Sequence, residues 1–307
     1  MKTGLLLRGI AAICLSVCLQ PWASGQDSET VRSKLPKPDH AEVAYGPFPL
    51  NDLDVWLAKS SKPTPVMMYF HGGGFVAGSK ENLPASLLAA VLKAGISVVA
   101  ANYRLAPAVV FPAHYLDCSR AIQFTRQSAK EWNIDPTRVA LNGSSAGAGT
   151  SLWIAFHPDL ADPKSSDPVA RQSTHVTCVM ISGGQPTYDP REVLKISGPS
   201  AAAHPVFRNL YGLKADELNT EKAYRLFEAA AAVTYLTPQA PPVFAYYFEP
   251  RAPVPPGSRA GSGIHHPNMG YYLKQKMDAV HVECIVRVKE DGGSVLNDEM
   301  AFLKTHL

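Results

Sequence analysis

The chain has 307 residues, of which 46% are hydrophobic and 18% are charged. These proportions are typical of a globular protein and exclude a disordered or fibrous chain. The formal net charge of +3 is close to neutral and argues against a nucleic-acid or anionic-membrane partner.

Residues 1–25 predict a secretory signal. Lys2 and Arg8 form a basic start, an apolar stretch follows, and Ala23-Ser24-Gly25 supplies the small residues of a cleavage site. The apolar stretch is too short to cross a bilayer, which takes about 20 apolar residues, and no later segment reaches that length. We therefore expect a secreted or periplasmic protein with one domain over residues 26–307.

Apolar runs alternate with helical patterns along this domain. The predicted strands are Leu53–Leu57, Val66–Phe70, Ile96–Asn102, Val139–Asn142, Val176–Ser182, Val243–Phe248 and Val282–Val288. The predicted helices are Leu83–Ala94, Pro112–Trp132, Ser145–His157, Thr220–Ala231, Pro267–Ala279 and Ser294–His306. This alternation predicts an α/β fold with a mainly parallel central sheet and helices on both faces.

One stretch, residues 185–242, interrupts the alternation. It is rich in proline and is too long for a simple connection between a strand and the next strand. We expect it to form a partial cap over the carboxyl ends of the strands.

Two glycine motifs follow predicted strands. In His71-Gly72-Gly73-Gly74-Phe75 the triple glycine frees backbone N–H groups to approach a developing oxyanion. In Gly143-Ser144-Ser145-Ala146-Gly147 the G-x-S-x-G pattern predicts a serine on a strained strand-to-helix turn. The two motifs in this order predict an acyl-transfer site with Ser145 as the nucleophile.

The motifs, together with Asn102–Pro107, Phe111-Pro112-Ala113 and Asp135-Pro136 between them, resemble α/β-hydrolases of the hormone-sensitive-lipase-like esterase group. The resemblance implies an oxyanion hole formed by the N–H groups of Gly73, Gly74 and Ala146. It also implies that His71 braces the glycine loop, and that the reaction needs no cofactor and no metal.

The remaining members of the expected triad depart from the family pattern, in which an acid and then a histidine follow the serine. Only Glu249 is acidic at the end of the strand Val243–Phe248, and the histidine expected after the last strand is absent. His265 and His266 lie between Glu249 and the next predicted helix, at the same sheet edge. We predict that Glu249 orients one of them as the base; ordinary loop histidines and a metal-binding pair remain as alternatives.

Two hypotheses of function follow. The first is a secreted serine ester hydrolase that acts on a small-molecule ester, with short acyl groups or acetyl groups on carbohydrate as the expected substrates. The second is a non-catalytic protein that binds a small ligand in the same pocket and has lost its catalytic histidine.

Overall fold

The computed structural model describes residues 35–255 and 257–307, so the predicted secretory signal lies outside the described residues. The strands in these ranges are β1 (His40–Ala44), β2 (Asp52–Trp56), β3 (Thr64–Phe70), β4 (Ser97–Ala101), β5 (Ile134–Ser144), β6 (Cys178–Ser182), β7 (Val243–Tyr247) and β8 (Cys284–Val288). They form one sheet in the order β1-β2-β4-β3-β5-β6-β7-β8.

The sheet is mainly parallel, as predicted. Strands β3 to β8 all run in one direction, whereas β2 runs the opposite way and pairs antiparallel with both β1 and β4 near one edge. Every residue of the central strand β3 is buried, because helices cover both of its faces. The carboxyl ends of β3, β5, β6 and β7 therefore lie side by side at one edge of the sheet.

The helices are α1 (Ala85–Lys93), α2 (Ala113–Gln127), α3 (Ala146–Phe156), α4 (Pro190–Ser197), α5 (Pro199–Ala202), α6 (Val206–Asn209), α7 (Glu221–Ala230), α8 (Ala260–Ile264), α9 (Asn268–Asp278) and α10 (Val295–His306). Helices α1 and α10 bury Leu88 and Phe302 in a core on one face of the sheet. Helices α2, α3 and α9 pack in the larger core on the other face, with Leu152 and Leu273 among its members. Among the described residues, no helix has both the length and the apolar character needed to cross a bilayer.

The predicted strands and helices are all present, with ends that differ by a few residues. Strand β1 was not predicted because it lies at the sheet edge and its sequence His-Ala-Glu-Val-Ala is largely exposed, so it lacks a hydrophobic pattern. The short helix α8 was also missed, because its glycine-rich sequence Ala-Gly-Ser-Gly-Ile has low helix propensity.

The segment 185–242 connects β6 to β7 and contains α4 to α7. Its helix α5 packs closely on α8: a Cβ atom at Gly263 would lie 2.8 Å from the backbone nitrogen of Ala201. The inserted segment thus contacts the loop that follows β7. Its function as a cap stays a prediction.

A buried lysine links the segment after the glycine loop to the antiparallel edge of the sheet. The side chain of Lys80 is inaccessible to solvent, its Nζ pairs with Asp52, and the same atom lies 3.6 Å from Asp54 Oδ1. The backbone N–H of Lys80 donates to Asn102 Oδ1 at 2.8 Å, and Asn102 Nδ2 donates to Asp52 Oδ1 at 2.8 Å. A charge in such a place is tolerated because its partners are fixed around it.

We predict that Lys80→Ala lowers the free energy of unfolding by about 3–5 kcal/mol, because it leaves the two aspartates without their counter-charge. The matched control is Lys195→Ala, which removes an exposed ion pair with Glu192 and should cost less than about 1 kcal/mol. Urea denaturation of both variants at pH 7 measures the difference. Similar losses of unfolding free energy in the two variants would show that the buried ion pairs of Lys80 do not stabilise the fold.

Candidate active site

Ser145 lies at the turn between β5 and α3, with backbone angles φ 50° and ψ −113°. A residue other than glycine seldom adopts these backbone angles, because they cost conformational energy. The turn is held by hydrogen bonds at both ends of the residue. The Ser145 N–H donates to Ser182 O at 2.9 Å, and Gly149 N–H donates to Ser145 O at 3.0 Å.

The glycines on either side of Ser145 allow this turn to form. A Cβ atom at Gly143 would lie 2.4 Å from the carbonyl carbon of Gly147, and a Cβ atom at Gly147 would lie 2.0 Å from Phe70 O. No other residue fits at these distances. The G-x-S-x-G pattern is therefore required by backbone packing between β3, β5 and α3.

The glycine loop after β3 presents unoccupied hydrogen-bond donors beside the serine. Gly73 and Gly74 have φ values of 106° and 61°. Their N–H groups, and that of Ala146 at the start of α3, have no acceptor in the described part of the chain. A Cβ atom at Gly72 would lie 3.4 Å from Ser145 Cβ, so the loop rests directly against the serine. Free N–H groups at a helix start are suited to holding an anion.

His71 supports the glycine loop and does not contact the serine. Its ring stacks on Tyr103 with centroids 4.2 Å apart, and its Nδ1 lies 2.7 Å from Gly72 O. The Tyr103 hydroxyl donates to the His71 carbonyl at 2.7 Å. Burial lowers the pKa of His71 to about 4, so the ring is neutral at neutral pH. This is the bracing role that the resemblance implied.

The structure brings His265 to the serine: His265 Nε2 lies 2.8 Å from Ser145 Oγ. His265 follows helix α8 in the connection between β7 and α9. Burial lowers the pKa of His265 below its ordinary value, while a hydrogen bond to the Gly261 backbone and the negative charge of Glu249 act in the opposite direction. A neutral imidazole at this distance can accept the proton of the hydroxyl.

His266 is not brought to the serine. Its Nδ1 accepts the N–H of Asn268 at 3.2 Å, and its Nε2 lies 3.0 Å from the carbonyl oxygen of Ala252. Both ring nitrogens are thus engaged, at the entry to helix α9, and the side chain is buried. Of the two adjacent histidines, only His265 faces Ser145.

Glu249 acts on His265 through its charge and not through contact. In the described ranges no hydrogen bond or ion pair joins the two side chains, although the Glu249 charge raises the pKa of His265. The neighbouring Phe248 ring packs on the imidazole, with centroids 5.6 Å apart. No group of three or more His, Cys, Asp or Glu side chains within the described residues could hold a metal ion.

Two residues that the sequence did not single out determine where His265 lies. Gln185 is buried and its Nε2 donates to Gly183 O at 2.7 Å and to Ile264 O at 2.9 Å, which fixes the backbone just before His265. Gly183, at the end of β6, has φ 57°, and a Cβ atom there would lie 3.2 Å from His265 Cδ2. The sequence signal for the close approach of His265 to β6 is the Gly183-Gly184 pair, which directly follows this buried strand.

His204, in the inserted segment, is a third residue that sequence reasoning missed. Its charge and that of His265 interact, and burial together with this interaction lowers the pKa of His204 to about 4. Its Nδ1 accepts the Val206 N–H at 3.2 Å, so the neutral ring carries its proton on Nε2. The segment 185–242 therefore places the His204 ring close enough to His265 for their charges to interact.

We predict that Gly183→Ala destabilises the protein by about 1–3 kcal/mol more than Gly95→Ala does, because the new methyl group would be forced against Phe248 and His265. Both positions have positive φ, 57° and 80°, but no atom lies within 4 Å of a Cβ atom at Gly95, which follows the end of helix α1. The control therefore measures the backbone cost of a residue with positive φ, about 1–2 kcal/mol. Equal urea midpoints for the two variants would contradict close packing of His265 on Gly183.

The central, mainly parallel sheet, the serine at the turn after β5 and the glycine loop after β3 define an α/β-hydrolase of the hormone-sensitive-lipase-like type. Residues 53–255, more than half of the chain, match the BD-FAE family model. The chain belongs to the BD-FAE family. The matched range ends at residue 255, before His265, the histidine that contacts Ser145.

Several relatives by sequence are esterases. The esterase LipQ of Mycobacterium tuberculosis is 26% identical over 219 residues, which cover 70% of this chain and 49% of LipQ. The carboxylesterase NlhH of the same organism is 36% identical over 91 residues, which cover 30% of this chain and 28% of NlhH. The chain thus spans about half the length of LipQ and a smaller part of NlhH.

Solved structures with the same fold include carbohydrate-active esterases. An acetyl ester-xyloside bifunctional hydrolase from Caldicellulosiruptor lactoaceticus superposes with a TM-score of 0.65 at 21% identity, over 83% of this chain and 87% of that one. A truncated carbohydrate esterase from gut microbiota gives a TM-score of 0.69 at 19% identity, over 87% and 95% of the two chains. At these identities the likeness shows the fold alone.

Proposed function

We propose that the protein is a serine hydrolase of carboxylic esters, with Ser145 as nucleophile and His265 as general base. The observation that carries this proposal is the 2.8 Å distance between Ser145 Oγ and His265 Nε2. A hydroxyl on a strained turn, in hydrogen-bond contact with a neutral imidazole, has the geometry needed for nucleophilic catalysis.

In the proposed reaction Ser145 Oγ attacks the ester carbonyl while His265 Nε2 takes the hydroxyl proton. The tetrahedral intermediate then collapses, the bond to the alcohol oxygen breaks, and His265 returns the proton to the leaving alcohol. Water attacks the acyl-serine with His265 again as base, which releases the carboxylic acid and restores the hydroxyl.

The N–H groups of Gly73, Gly74 and Ala146 would stabilise the negative charge on the carbonyl oxygen during both steps. Each donor in such a hole is typically worth about 3–4 kcal/mol in the transition state. Glu249 would stabilise the imidazolium that forms when His265 is protonated, since its charge already raises the pKa of that ring.

The proposed substrates are esters of small acyl groups, with acetylated carbohydrate as one class. The esterase relatives and the carbohydrate esterases of similar fold support this choice. Export, which rests on the predicted signal in residues 1–25, is part of the same proposal. The non-catalytic alternative rests on a missing histidine, and the 2.8 Å distance from His265 Nε2 to Ser145 Oγ supports the hydrolase instead.

We predict that Ser145→Ala and His265→Gln each reduce kcat/KM for p-nitrophenyl acetate by about 10³-fold or more, because neither variant keeps both nucleophile and base. His266→Gln is the matched control: in the folded variant activity should stay within about threefold of wild type, since both ring nitrogens of His266 bond groups other than Ser145. Thermal unfolding shows whether each variant is folded. Equal rates for wild type and Ser145→Ala would rule out the proposed reaction with this ester.

The pH dependence of the rate tests the proposed role of Glu249. The acid limb of the kcat/KM profile reports the pKa of the base in the free enzyme. Burial lowers the pKa of His265, the proposed base, below its ordinary value. The Glu249 charge raises the pKa of the ring, so Glu249→Gln should move the acid limb to still lower pH. The plateau rate should fall less than about tenfold, because no hydrogen bond is lost.

The control for the pH measurement is Glu283→Gln, at the opposite, amino end of the neighbouring strand β8, which should leave the limb unchanged. A limb that moves to higher pH in Glu249→Gln, or the same shift in the control, would show that Glu249 does not act on His265.

A further inference from the structure

The His265 imidazole has to keep its position at Ser145 while a proton passes between them. In a serine triad this support comes from a carboxylate that is hydrogen-bonded to the second nitrogen of the ring. Within the described residues no carboxylate bonds to His265, and Glu249 acts on the ring only through its charge. Other groups must therefore hold the imidazole.

Two hydrogen bonds hold the chain around His265. Gln185 Nε2 donates to Ile264 O at 2.9 Å, which fixes the backbone just before the histidine. The backbone of Gly261 forms a hydrogen bond with His265, but Gly261 belongs to helix α8, which ends at His265. This second bond is local to one short helix. Neither bond fixes the ring itself relative to the sheet that carries Ser145.

The Phe248 ring connects the imidazole to the sheet. Phe248 directly follows β7, and its ring packs on that of His265 with centroids 5.6 Å apart and an angle of 38° between the ring planes. A Cβ atom at Gly183 would lie 3.1 Å from Phe248 Cε1 and 3.2 Å from His265 Cδ2. Both rings therefore rest on the backbone at the end of β6.

The position of Phe248 is itself fixed by hydrogen bonds between the ends of β6 and β7. The Gly183 N–H donates to Tyr246 O at 2.8 Å. The buried Tyr247 hydroxyl donates to Gly184 O, also at 2.8 Å. The two residues before Phe248 are thus bonded to the turn after β6, so the ring lies on a rigid part of the fold.

Phe248 also limits the access of water to the imidazole. Its side chain is 42% exposed, so part of the ring faces solvent while another part covers His265. Burial is the largest of the causes that lower the pKa of His265, because a charged imidazolium loses hydration there. An apolar ring packed on the imidazole supplies part of that burial.

The charges around His265 are few. In the described part of the chain, the side chains whose charges interact with its ring are Glu249 and His204. The pKa of His204 is about 4, so its ring is neutral near pH 7. Because Phe248 carries no charge, a change in the pKa of His265 after its removal would report the entry of water.

We propose that Phe248 is a positioning residue for the reaction at Ser145, whose ring holds the His265 imidazole against the serine and shields it from water. The ring thereby performs the orienting task of the hydrogen-bonded carboxylate in a serine triad. This inference rests on the proposed function, since it concerns the base of the same reaction.

The kinetic test uses Phe248→Ala with p-nitrophenyl acetate. The plateau kcat should fall about 10- to 100-fold, because a misplaced base loses its alignment with the hydroxyl, while KM changes less than about threefold. The acid limb of kcat/KM should move to higher pH, because water that reaches the ring stabilises the imidazolium. Phe248→Tyr keeps the ring and should restore both values.

The matched control is Phe48→Ala. The Phe48 side chain is 44% exposed and its ring lies 3.9 Å from the Arg104 guanidinium carbon, in the connection between β1 and β2. Its removal should leave kcat and the acid limb unchanged. Thermal unfolding shows whether each variant is folded.

An NMR titration of the His265 Cε1–H signal, assigned by its loss in His265→Gln, measures the pKa without turnover. A higher pKa in Phe248→Ala than in wild type supports the positioning role, even if the wild type hydrolyses no ester and the proposed function fails. An unchanged pKa, an unchanged kcat in an active enzyme, or a loss of kcat that Phe248→Tyr does not restore overturns the proposal.

Discussion

The close approach of backbone to backbone between the ends of β3 and β5 and the start of α3 is the constraint on which the site depends. A Cβ atom at Gly143 would lie 2.4 Å from the carbonyl carbon of Gly147, and Gly147 also lies against the end of β3. This contact forces Ser145 into a conformation with φ 50°, which costs about 1–3 kcal/mol at a residue other than glycine. The same contact leaves the amides of Gly73, Gly74 and Ala146 without acceptors beside the hydroxyl.

The position of His265 follows from the order of the strands. Strand β7 is separated from β5 by β6, so a side chain from the connection after β7 must pass over the end of β6 to reach Ser145. Gly183 leaves room for the ring, and Gln185 bonds the carbonyls on both sides of the gap, that of Gly183 and that of Ile264. Gly183 and the buried side-chain amide of Gln185 thus hold the His265 imidazole in place, whereas the family pattern places its histidine in the connection after β8.

The sequence predicted the sheet, most of the helices, the turn at Ser145 and the glycine loop, because each of these depends on local patterns or on glycines whose spacing is fixed. It narrowed the histidine beside Ser145 to His265 or His266 but could not choose between them, since the choice depends on where helix α8 ends and helix α9 begins. The hydrogen bonds from Gln185 to the carbonyls of Gly183 and Ile264 could not be predicted. They join the connection after β6 to the connection after β7, which are far apart in the chain and meet only when the sheet is complete.

The connection between β8 and α10 carries no histidine, which affects how related sequences would be classified as catalytic or non-catalytic. A survey that recognises working members of this family by a histidine after the last strand would count the present chain among the degenerate copies. The imidazole beside Ser145 comes instead from a stretch that lies beyond the end of the family match at residue 255. For relatives set aside by that criterion, the connection after β7 is the place where a substitute imidazole would be encoded.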